Sequence, residues 1–399
     1  MNILFLSEIL YPHRGGAELA TYLWAELLAK SGFNIKIVTN RFPNEPEISK
    51  YNNMTIYRIP LLKIQESIKY SILRMSNILF SNLIRKLLVW SDVVYIPRFW
   101  YMAIPMAKAY GKPVIIHLHD YIPICPLATR YNFFDNKVCS SRFLCHPSCI
   151  IAHERVQGKS FSETLKSSLL NMAVWPHIGR LIRLSDAVVC VSNAQRNMIV
   201  EHMPSLAKKC QVIYNPMPKL SDIEINGKDM GYLGGPSPTK GFNVLCSALK
   251  LVKSKVTIHA TGFNLPIQSL VKPLIRSKTI FYERLPEKLY KKVYRRIHTV
   301  LVPSIWLETY GYVVSEALLS RRLVIASEIG GMPELVDGCP GVFLFQPGDH
   351  ERLAELIEYV SRLDKQTILD LGYENREAFV KRFNNEDSLK KFSNLLNLL

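Results

Sequence analysis

Residues 2–40 read NILFLSEILYPHRGGAELATYLWAELLAKSGFNIKIVTN and alternate between two kinds of pattern. Short apolar runs at 2–7 and 34–40 are typical of buried strands. Between them a glycine-bearing loop leads into a run with leucines at helical spacing, which Gly32 ends. A strand, a helix and a second strand in this order form a βαβ unit. The segment therefore predicts a parallel sheet with right-handed crossovers.

The rest of the chain repeats this pattern in two sets of similar size. Strand candidates in the first half lie at 92–97, 113–119, 186–192 and 210–215, and those in the second half at 230–235, 256–262, 279–283, 299–304 and 323–328. The predicted fold class is α/β, with two Rossmann-like domains facing each other across a cleft. The predicted parts are an N-terminal domain at 1–216, a linker at 217–228, a C-terminal domain at 229–380 and a C-terminal helix at 381–399 that could pack back on the N-terminal domain.

Composition and charge narrow the class of protein. The 399 residues are 48% hydrophobic and 21% charged, as in folded globular proteins, and the formal net charge is +17. We expect a cytoplasmic protein, because the first ten residues lack a basic signal-peptide region and no run reaches the roughly 18 apolar residues of a membrane span. Nucleic acid is not an expected partner, because no recognition motif is present.

One basic, apolar segment leaves two interpretations open. Residues 61–90 mix lysine and arginine with leucine and isoleucine. The pattern favours an ordinary helix pair with a solvated outer face. The net charge keeps the other interpretation open, in which the segment lies on an anionic membrane surface and the protein is peripheral on the cytoplasmic face.

We expect catalytic and ligand-binding residues in the loops that follow strands, because open parallel sheets bind ligands beyond the carboxyl ends of their strands. Gly15 and Gly16 follow the first strand and let backbone N–H groups approach an anion. The full G-x-G-x-x-G pattern is absent, which counts against a nicotinamide enzyme. Lys240 precedes Gly241 and a helix, so it can meet a phosphate as a point charge, although no Walker spacing is present.

Two further loops carry side chains suited to sugars. Residues 308–316 read ETYGYVVSE, with Glu308 in a loop and Glu316 about two turns into a helix expected to begin near Tyr310. The first helical N–H groups can bind an anion, and Glu316 can accept two hydroxyl hydrogen bonds from a ribose diol. His119, at the end of another strand, can position hydroxyls or move protons. His117 would point to the same side as His119, so the two histidines could bind a metal ion, but the sequence shows no third ligand for it.

These residues resemble family 4 glycosyltransferases, whose fold is GT-B. The resemblance rests on an ordered set that spans nearly the whole chain: GGAE at 15–18, LHD at 118–120, SPTKG at 237–241, E-x7-E at 308–316 and GGMPELV at 330–336. It implies transfer of a sugar from a nucleotide diphosphate donor, UDP- or GDP-linked, with retention of anomeric configuration and without a catalytic metal or cofactor. The basic segment and net charge make a glycan or lipid-linked glycan the expected acceptor.

The resemblance also assigns roles to residues of this chain. Three are implied in catalysis: His119 near the donor sugar, Lys240 at the diphosphate and Glu308 at sugar hydroxyls. The implied donor-binding residues are Gly15, Gly16, Gly235, Arg284, Leu285, Tyr310, Gly311, Tyr312, Val313 and Glu316. Gly235 stands where the family usually has an arginine that shares the diphosphate, so another basic side chain or the amides of the glycine loop must take that part. A nucleotide-sugar epimerase of the same fold and a non-catalytic sugar-nucleotide-binding relative remain alternatives.

Four cysteines lie within 25 residues of one another. Cys125, Cys139, Cys145 and Cys149 could form a structural zinc site or a disulfide, or remain unpaired thiols. Their spacing matches no standard zinc finger.

Overall fold

A computed structural model of the protein describes residues 1–13, 15–61, 78–140, 147–220, 223–264, 278–283 and 287–399. The chain forms two compact units. The first comprises Met1–Pro216 and Asn385–Leu399, and the second comprises Met217–Asn384. In the described residues, no helix is long and apolar enough to cross a bilayer.

The strands are β1 (Asn2–Leu6), β2 (Asn34–Asn40), β3 (Ile48–Tyr51), β4 (Met54–Ile59), β5 (Val93–Ile96), β6 (Val114–Leu118), β7 (Tyr131–Asn132), β8 (Lys137–Val138), β9 (Ala187–Cys190), β10 (Cys210–Val212), β11 (Asp229–Tyr232), β12 (Thr257–Thr261), β13 (Lys278–Tyr282), β14 (Ile297–Val302), β15 (Leu323–Ser327) and β16 (Val342–Phe345). The helices are α1 (Gly16–Lys30), α2 (Asn82–Trp90), α3 (Ala103–Ala109), α4 (Pro147–Val156), α5 (Phe161–Arg183), α6 (Asn193–His202), α7 (Phe242–Leu251), α8 (Glu287–Arg296), α9 (Tyr312–Leu319), α10 (Met332–Val336), α11 (His350–Ser361), α12 (Lys365–Arg382) and α13 (Asn385–Asn397).

Each unit is built on its own largely parallel sheet. Among the described residues, the first sheet has the order β10-β9-β6-β5-β1-β2-β4-β3, with β3 antiparallel to β4, and the second has the order β13-β12-β11-β14-β15-β16 and is parallel throughout. The order makes β6, β5 and β1 neighbours in the first sheet, and β11, β14 and β15 neighbours in the second. The loops that leave these strands at their carboxyl ends therefore start side by side within each unit.

Aromatic side chains fill the core of each unit. In the first unit, Trp24 of α1 is fully buried and lies 4.8 Å, centroid to centroid, from Phe392 of α13. The C-terminal helix is thus part of the first unit's core. In the second unit, Phe242 of α7 packs 4.7 Å from Phe263, and Tyr232 of β11 joins them.

Some details differ from the sequence expectation. The antiparallel pair β3–β4, the short β7–β8 hairpin and the edge strand β16 were not predicted. The helix after Glu308 begins at Tyr312 instead of near Tyr310, because Gly311 has a φ of 110°, a left-handed conformation outside the helical region. Part of the 61–90 segment, 62–77, lies outside the described residues, and α2 occupies its last third.

Candidate functional site

Glu308 lies in the loop between β14 and α9 and is held by two hydrogen bonds to one oxygen. Its Oε1 accepts from Lys240 Nζ at 2.7 Å and from Ser304 Oγ at 2.7 Å. The residue is 5% exposed. No described residue donates a hydrogen bond to Oε2. The carboxylate is therefore fixed in place and keeps one oxygen that can accept a hydroxyl.

Lys240 comes from the loop after β11 and ends a 3₁₀ turn at Pro238–Lys240. The Tyr232 hydroxyl fixes this loop by hydrogen bonding to the carbonyls of Gly235 at 2.7 Å and Lys240 at 3.2 Å. Lys240 Nζ lies 5.0 Å from the centroid of the Trp306 ring, and a third of the side chain is exposed. An ammonium group has three donors, so the bond to Glu308 does not exhaust its capacity to bind an anion.

Two glycines allow the loops around Glu308 to approach one another. At Gly241, a Cβ would lie 1.6 Å from the Pro303 carbonyl oxygen, and at Gly330 it would lie 2.2 Å from the Glu308 carbonyl oxygen. Both have positive φ, 74° and 60°. Gly331 N donates to that same Glu308 oxygen at 2.7 Å. Only glycine fits these contacts, so the loops after β11, β14 and β15 form one closely packed group.

The N-terminus of α9 follows Glu308 by a few residues. Gly311 caps the helix, and the backbone amides of Tyr312 and Val313 begin it, at the end where the helix dipole favours an anion. The Tyr310 side chain is buried and its hydroxyl lies 3.6 Å from Met217 Sδ. Of the segment 310–313, it is therefore the backbone at the start of α9 that is suited to a ligand.

Glu316 lies on α9 and is half-buried. Burial raises the pKa of its carboxyl from 4.5 to about 7. A carboxylate in such a place lacks the solvation it would have in water. Two ribose hydroxyls would provide hydrogen bonds of the kind that it lacks.

The structure gives a backbone reason for Gly235. Its φ is 74°, a left-handed conformation that an arginine adopts only with strain, and Gly262 approaches it so closely that a Cβ on Gly262 would lie 2.9 Å from the Gly235 Cα. The departure from the usual arginine thus accompanies a turn that favours glycine. Arg284 and Leu285, the other expected donor contacts of this unit, lie outside the described residues.

In the first unit, Arg98 gathers three carboxylates, two that follow the ends of strands β1 and β6 and one in the first turn of α1. Its Nη1 donates to Glu18 Oε1 at 2.7 Å, and its Nε lies 3.7 Å from both Glu8 Oε1 and Asp120 Oδ2. Burial alone would lower the pKa of Arg98, but the three carboxylates raise it. Glu18 Oε2 also accepts from Gly15 N at 3.0 Å. Arg98 thereby connects the end of β5 to the glycine turn that opens α1.

The two histidines near the end of β6 stack on each other, with ring centroids 4.5 Å apart. His117 Nδ1 lies 2.6 Å from the Tyr95 hydroxyl, and burial lowers the pKa of His117 well below its usual value. Burial and the charge of Arg98 lower the pKa of His119 to about 3. Both rings are therefore neutral near pH 7, and His119 is suited to hydrogen bonding instead of carrying charge.

Metal ligands are not gathered anywhere in the part of the chain that the structure describes: no group of three or more His, Cys, Asp or Glu residues could hold an ion. Of the four clustered cysteines, Cys145 lies outside the described residues. Cys149 is buried, its Sγ accepting from Phe133 N at 3.4 Å and lying 3.7 Å from the Tyr131 carbonyl oxygen. Burial raises the pKa of the Cys125 thiol, which favours the protonated form.

Sequence reasoning missed several polar residues that the structure places beside the predicted ones. Ser304 and Trp306 contact the Lys240–Glu308 pair, and Arg98 pairs with Glu8 and with Glu18 beside the glycine turn. A usable signal existed, because Glu8 and Arg98 each come directly after a predicted strand, at 2–7 and 92–97. What the sequence did not show was that β1, β5 and β6 are neighbours.

Comparison with known proteins places these two units in a family. Residues 14–218 match the family model described as Glycosyltransferase Family 4, and residues 227–362 match the one described as Glycosyl transferases group 1. A Klebsiella pneumoniae protein described as "Uncharacterized 42.6 kDa protein in cps region" is 24% identical over 365 residues, which cover 87% of this chain and 90% of the relative.

Two solved structures show the fold. Sucrose-phosphate synthase from Thermosynechococcus elongatus matches with a TM-score of 0.75 at 16% identity, covering 100% of this chain and 98% of the other. The Anabaena protein HepE in complex with UDP and glucose matches with a TM-score of 0.65 at 20% identity, covering 100% and 99%. The fold is the two-domain GT-B fold of glycosyltransferases. Because the first family model spans more than half of the sequence, the chain belongs to glycosyltransferase family 4. The predicted family and fold class are confirmed.

Proposed function

We propose that this glycosyltransferase is a retaining enzyme that moves a sugar from a UDP- or GDP-linked donor to a glycan or lipid-linked glycan, without a catalytic metal. The observation that carries the proposal is the hydrogen-bonded group of Lys240, Ser304 and Glu308, in which Glu308 comes shortly before the N-terminus of α9 in the sequence. It joins a cation and helix amides, which suit a diphosphate, with a fixed carboxylate, which suits sugar hydroxyls.

The chemistry follows from where charge develops. When the bond between the anomeric carbon and the donor phosphate breaks, negative charge grows on the leaving diphosphate. Lys240 and the amides at the start of α9 stabilise that charge, which is the task a metal ion performs in other enzymes. The acceptor oxygen bonds to the anomeric carbon on the same face, and its proton passes to the leaving phosphate oxygen. No protein base is then required.

Glu308 acts in this proposal as a positioning group. Its Oε1 is occupied by Lys240 and Ser304, and only Oε2 can meet the sugar. A carboxylate so paired is a poor nucleophile and a good acceptor for one hydroxyl. Glu316 takes the ribose, and the amides of the Gly235 loop contact the diphosphate.

The donor can be found by a thermal-shift screen of UDP- and GDP-sugars. A ligand that binds the native state raises the free energy of unfolding by mass action, by about 2.7 kcal/mol at a hundredfold excess over its Kd, and the melting temperature rises with it. UDP-sugars come first, because the Anabaena structures contain UDP, UDP with glucose and UDP-glucose. We expect one sugar nucleotide to stabilise wild type and to stabilise Lys240→Ala much less. Equal shifts in both proteins would remove Lys240 from the donor site.

Product analysis separates the alternatives. A transferase consumes the donor only when an acceptor is present and releases the nucleoside diphosphate. An epimerase would convert one sugar nucleotide into another with no acceptor. A non-catalytic relative would bind the donor and leave it unchanged with every acceptor. Either of the last two results would refute the proposed transfer.

A further inference from the structure

Helix α5 has its apolar and polar faces reversed in its first half. Phe161, Leu165 and Leu169 follow one another at intervals of four residues and are 74%, 47% and 55% exposed. A second face, about 110° around the helix from the first, is buried and polar, and consists of Thr164, Ser167, Ser168 and Asn171. A helix of a soluble core shows the opposite arrangement, so these three apolar side chains form a surface with another purpose.

The buried polar face has a structural reason. Glu154 of α4 is fully buried, and its Oε2 accepts from Ser167 Oγ at 2.6 Å and from Lys159 Nζ. Lys159 Nζ also donates to Ser167 Oγ at 3.1 Å. Helices α4 and α5 are thus joined by a partly buried ion pair and by hydrogen bonds. The apolar side chains of α5 are left at the surface because the contact with α4 uses the polar ones.

The surface around these apolar residues is positive. Between 155 and 184 the sequence has five basic residues, Arg155, Lys159, Lys166, Arg180 and Arg183, and one acidic residue, Glu163, which bonds to Ser160. Lys166, Arg180 and Arg183 are exposed. At 100° per residue, Arg180 and Arg183 lie on the same side of the helix as Leu165 and Leu169. Apolar and basic side chains on one face are typical of helices that lie in the plane of an anionic membrane.

We propose that this α5 face, made of Phe161, Leu165, Leu169, Lys166, Arg180 and Arg183, docks on an anionic lipid surface. The net charge of +17 for the whole chain favours the same partner. A symmetric contact with a second copy would place the basic residues of one α5 face against those of the other, which opposes self-association. The inference deepens the proposed function, since a lipid-linked acceptor would lie at such a surface, but it can be tested without any turnover.

The test is sedimentation of the full-length protein with vesicles. The vesicles contain phosphatidylcholine with about a third phosphatidylglycerol, and pure phosphatidylcholine serves for comparison. We expect wild type to bind the anionic vesicles and to be released as salt rises from about 0.1 to about 0.5 M. The variant Phe161→Ser/Leu165→Ser/Leu169→Ser should bind at least roughly tenfold more weakly. A matched variant, Leu251→Ser/Tyr359→Ser/Tyr373→Ser, removes apolar residues that are 50%, 51% and 52% exposed in the second unit, and should bind like wild type.

Three results would overturn the inference. Wild type could fail to bind anionic vesicles at low salt, the α5 variant could bind as well as wild type, or both triple variants could lose binding equally. Light scattering provides a fourth: a wild-type dimer that the α5 variant converts to monomer, with vesicle binding unchanged, would assign this face to a second copy. The thermal shift caused by the sugar nucleotide, measured on the same variants, separates a loss of membrane binding from a loss of donor binding. The α5 variant should retain the full shift, which also shows that it is folded.

Discussion

At Glu308, two hydrogen bonds to a single carboxylate oxygen determine how the side chain can act. With Oε1 bound by Lys240 and Ser304, the carboxylate has one orientation and one remaining acceptor. Lys240 in turn is held in place by Glu308 and lies over the Trp306 ring, next to the proposed diphosphate site. Each residue of the pair therefore positions the other, and the loss of either should affect both donor charge and sugar orientation.

The first prediction concerns this pair. Lys240→Ala removes the cation that stabilises the leaving diphosphate, and we expect the transfer rate to fall about 10²- to 10³-fold, as when one oxyanion donor is removed from other enzymes. Glu308→Gln keeps the shape but not the charge, and should reduce kcat by a similar factor. Lys250→Ala, at the exposed end of α7, is the control. Steady-state kinetics measure the transfer rates, on proteins that have equal melting temperatures. Rates near that of wild type in both site variants would show that the pair has no part in the mechanism.

The second prediction concerns Glu316 and pH. An unfolded carboxyl loses its proton near pH 4.5, whereas burial keeps that of Glu316 until about pH 7. Between these values the folded state binds a proton that the unfolded state has lost, so stability decreases as the pH rises from about 4.5 to about 7. Glu316→Gln lacks this titration. Its free energy of unfolding, relative to wild type, should be higher at pH 8 than at pH 5 by on the order of 1 to 3 kcal/mol.

Urea unfolding at the two pH values measures this difference. Glu374→Gln, at an exposed position on α12, is the matched control and should show no such gain. If the advantage of Glu316→Gln were the same at pH 5 and pH 8, its carboxyl would not be destabilised by burial. In that case the ionised Glu316 carboxylate would not lack solvation, and hydrogen bonds from a ribose diol would bring it no extra stabilisation.

At the scale of elements, the second unit assembles the proposed site from three adjacent strand ends. The loops after β11, β14 and β15 supply Lys240, Glu308 and Gly330, and the parallel strand order brings them together. Glycines at the contact points allow backbone to touch backbone, so the position of Glu308 depends on residues that carry no chemistry themselves.

A third prediction tests that dependence. Gly330→Ala would place a Cβ 2.2 Å from the Glu308 carbonyl oxygen and must displace the Glu308 backbone. Gly338→Ala introduces a Cβ at a similar φ, 78°, with nothing within 4 Å. Both variants pay for a left-handed alanine, about 1 kcal/mol. We expect only Gly330→Ala to lose transfer activity, by at least roughly tenfold. Equal activity in the two variants would show that the contact does not position Glu308.

How well elements could be predicted depended on their pattern. The buried parallel strands were found because they are continuous apolar runs, such as VVYI in β5 and VIIHL in β6. Strand β3 was missed because its sequence ISKY is mostly exposed and lacks such a run. Arg98 was missed because its partners Glu8, Glu18 and Asp120 come from distant parts of the sequence. Such contacts depend on strand order, which no local pattern contains.

At the scale of the whole molecule, the fold is built by repeating one βαβ pattern along the chain. The βαβ pattern of residues 2–40 recurs, and each half of the chain builds a largely parallel sheet with its own aromatic core. The last helix belongs with the first unit through Phe392 and its contact with Trp24. Membership of glycosyltransferase family 4 agrees with this architecture. The proposed sugar-nucleotide donor rests on the group formed by Lys240, Ser304 and Glu308. The proposed acceptor rests on the basic segment and the net charge, and the proposed retention rests on the resemblance of the motifs.

The measurement that tests the central claim most directly is the anomeric configuration of the product, followed by NMR during transfer from the sugar nucleotide found in the thermal-shift screen, with EDTA present throughout. Our account predicts release of the nucleoside diphosphate and a product whose anomeric configuration matches that of the donor, at a rate that EDTA does not change. An inverted product, a rate abolished by EDTA, or conversion of the donor without an acceptor would contradict it.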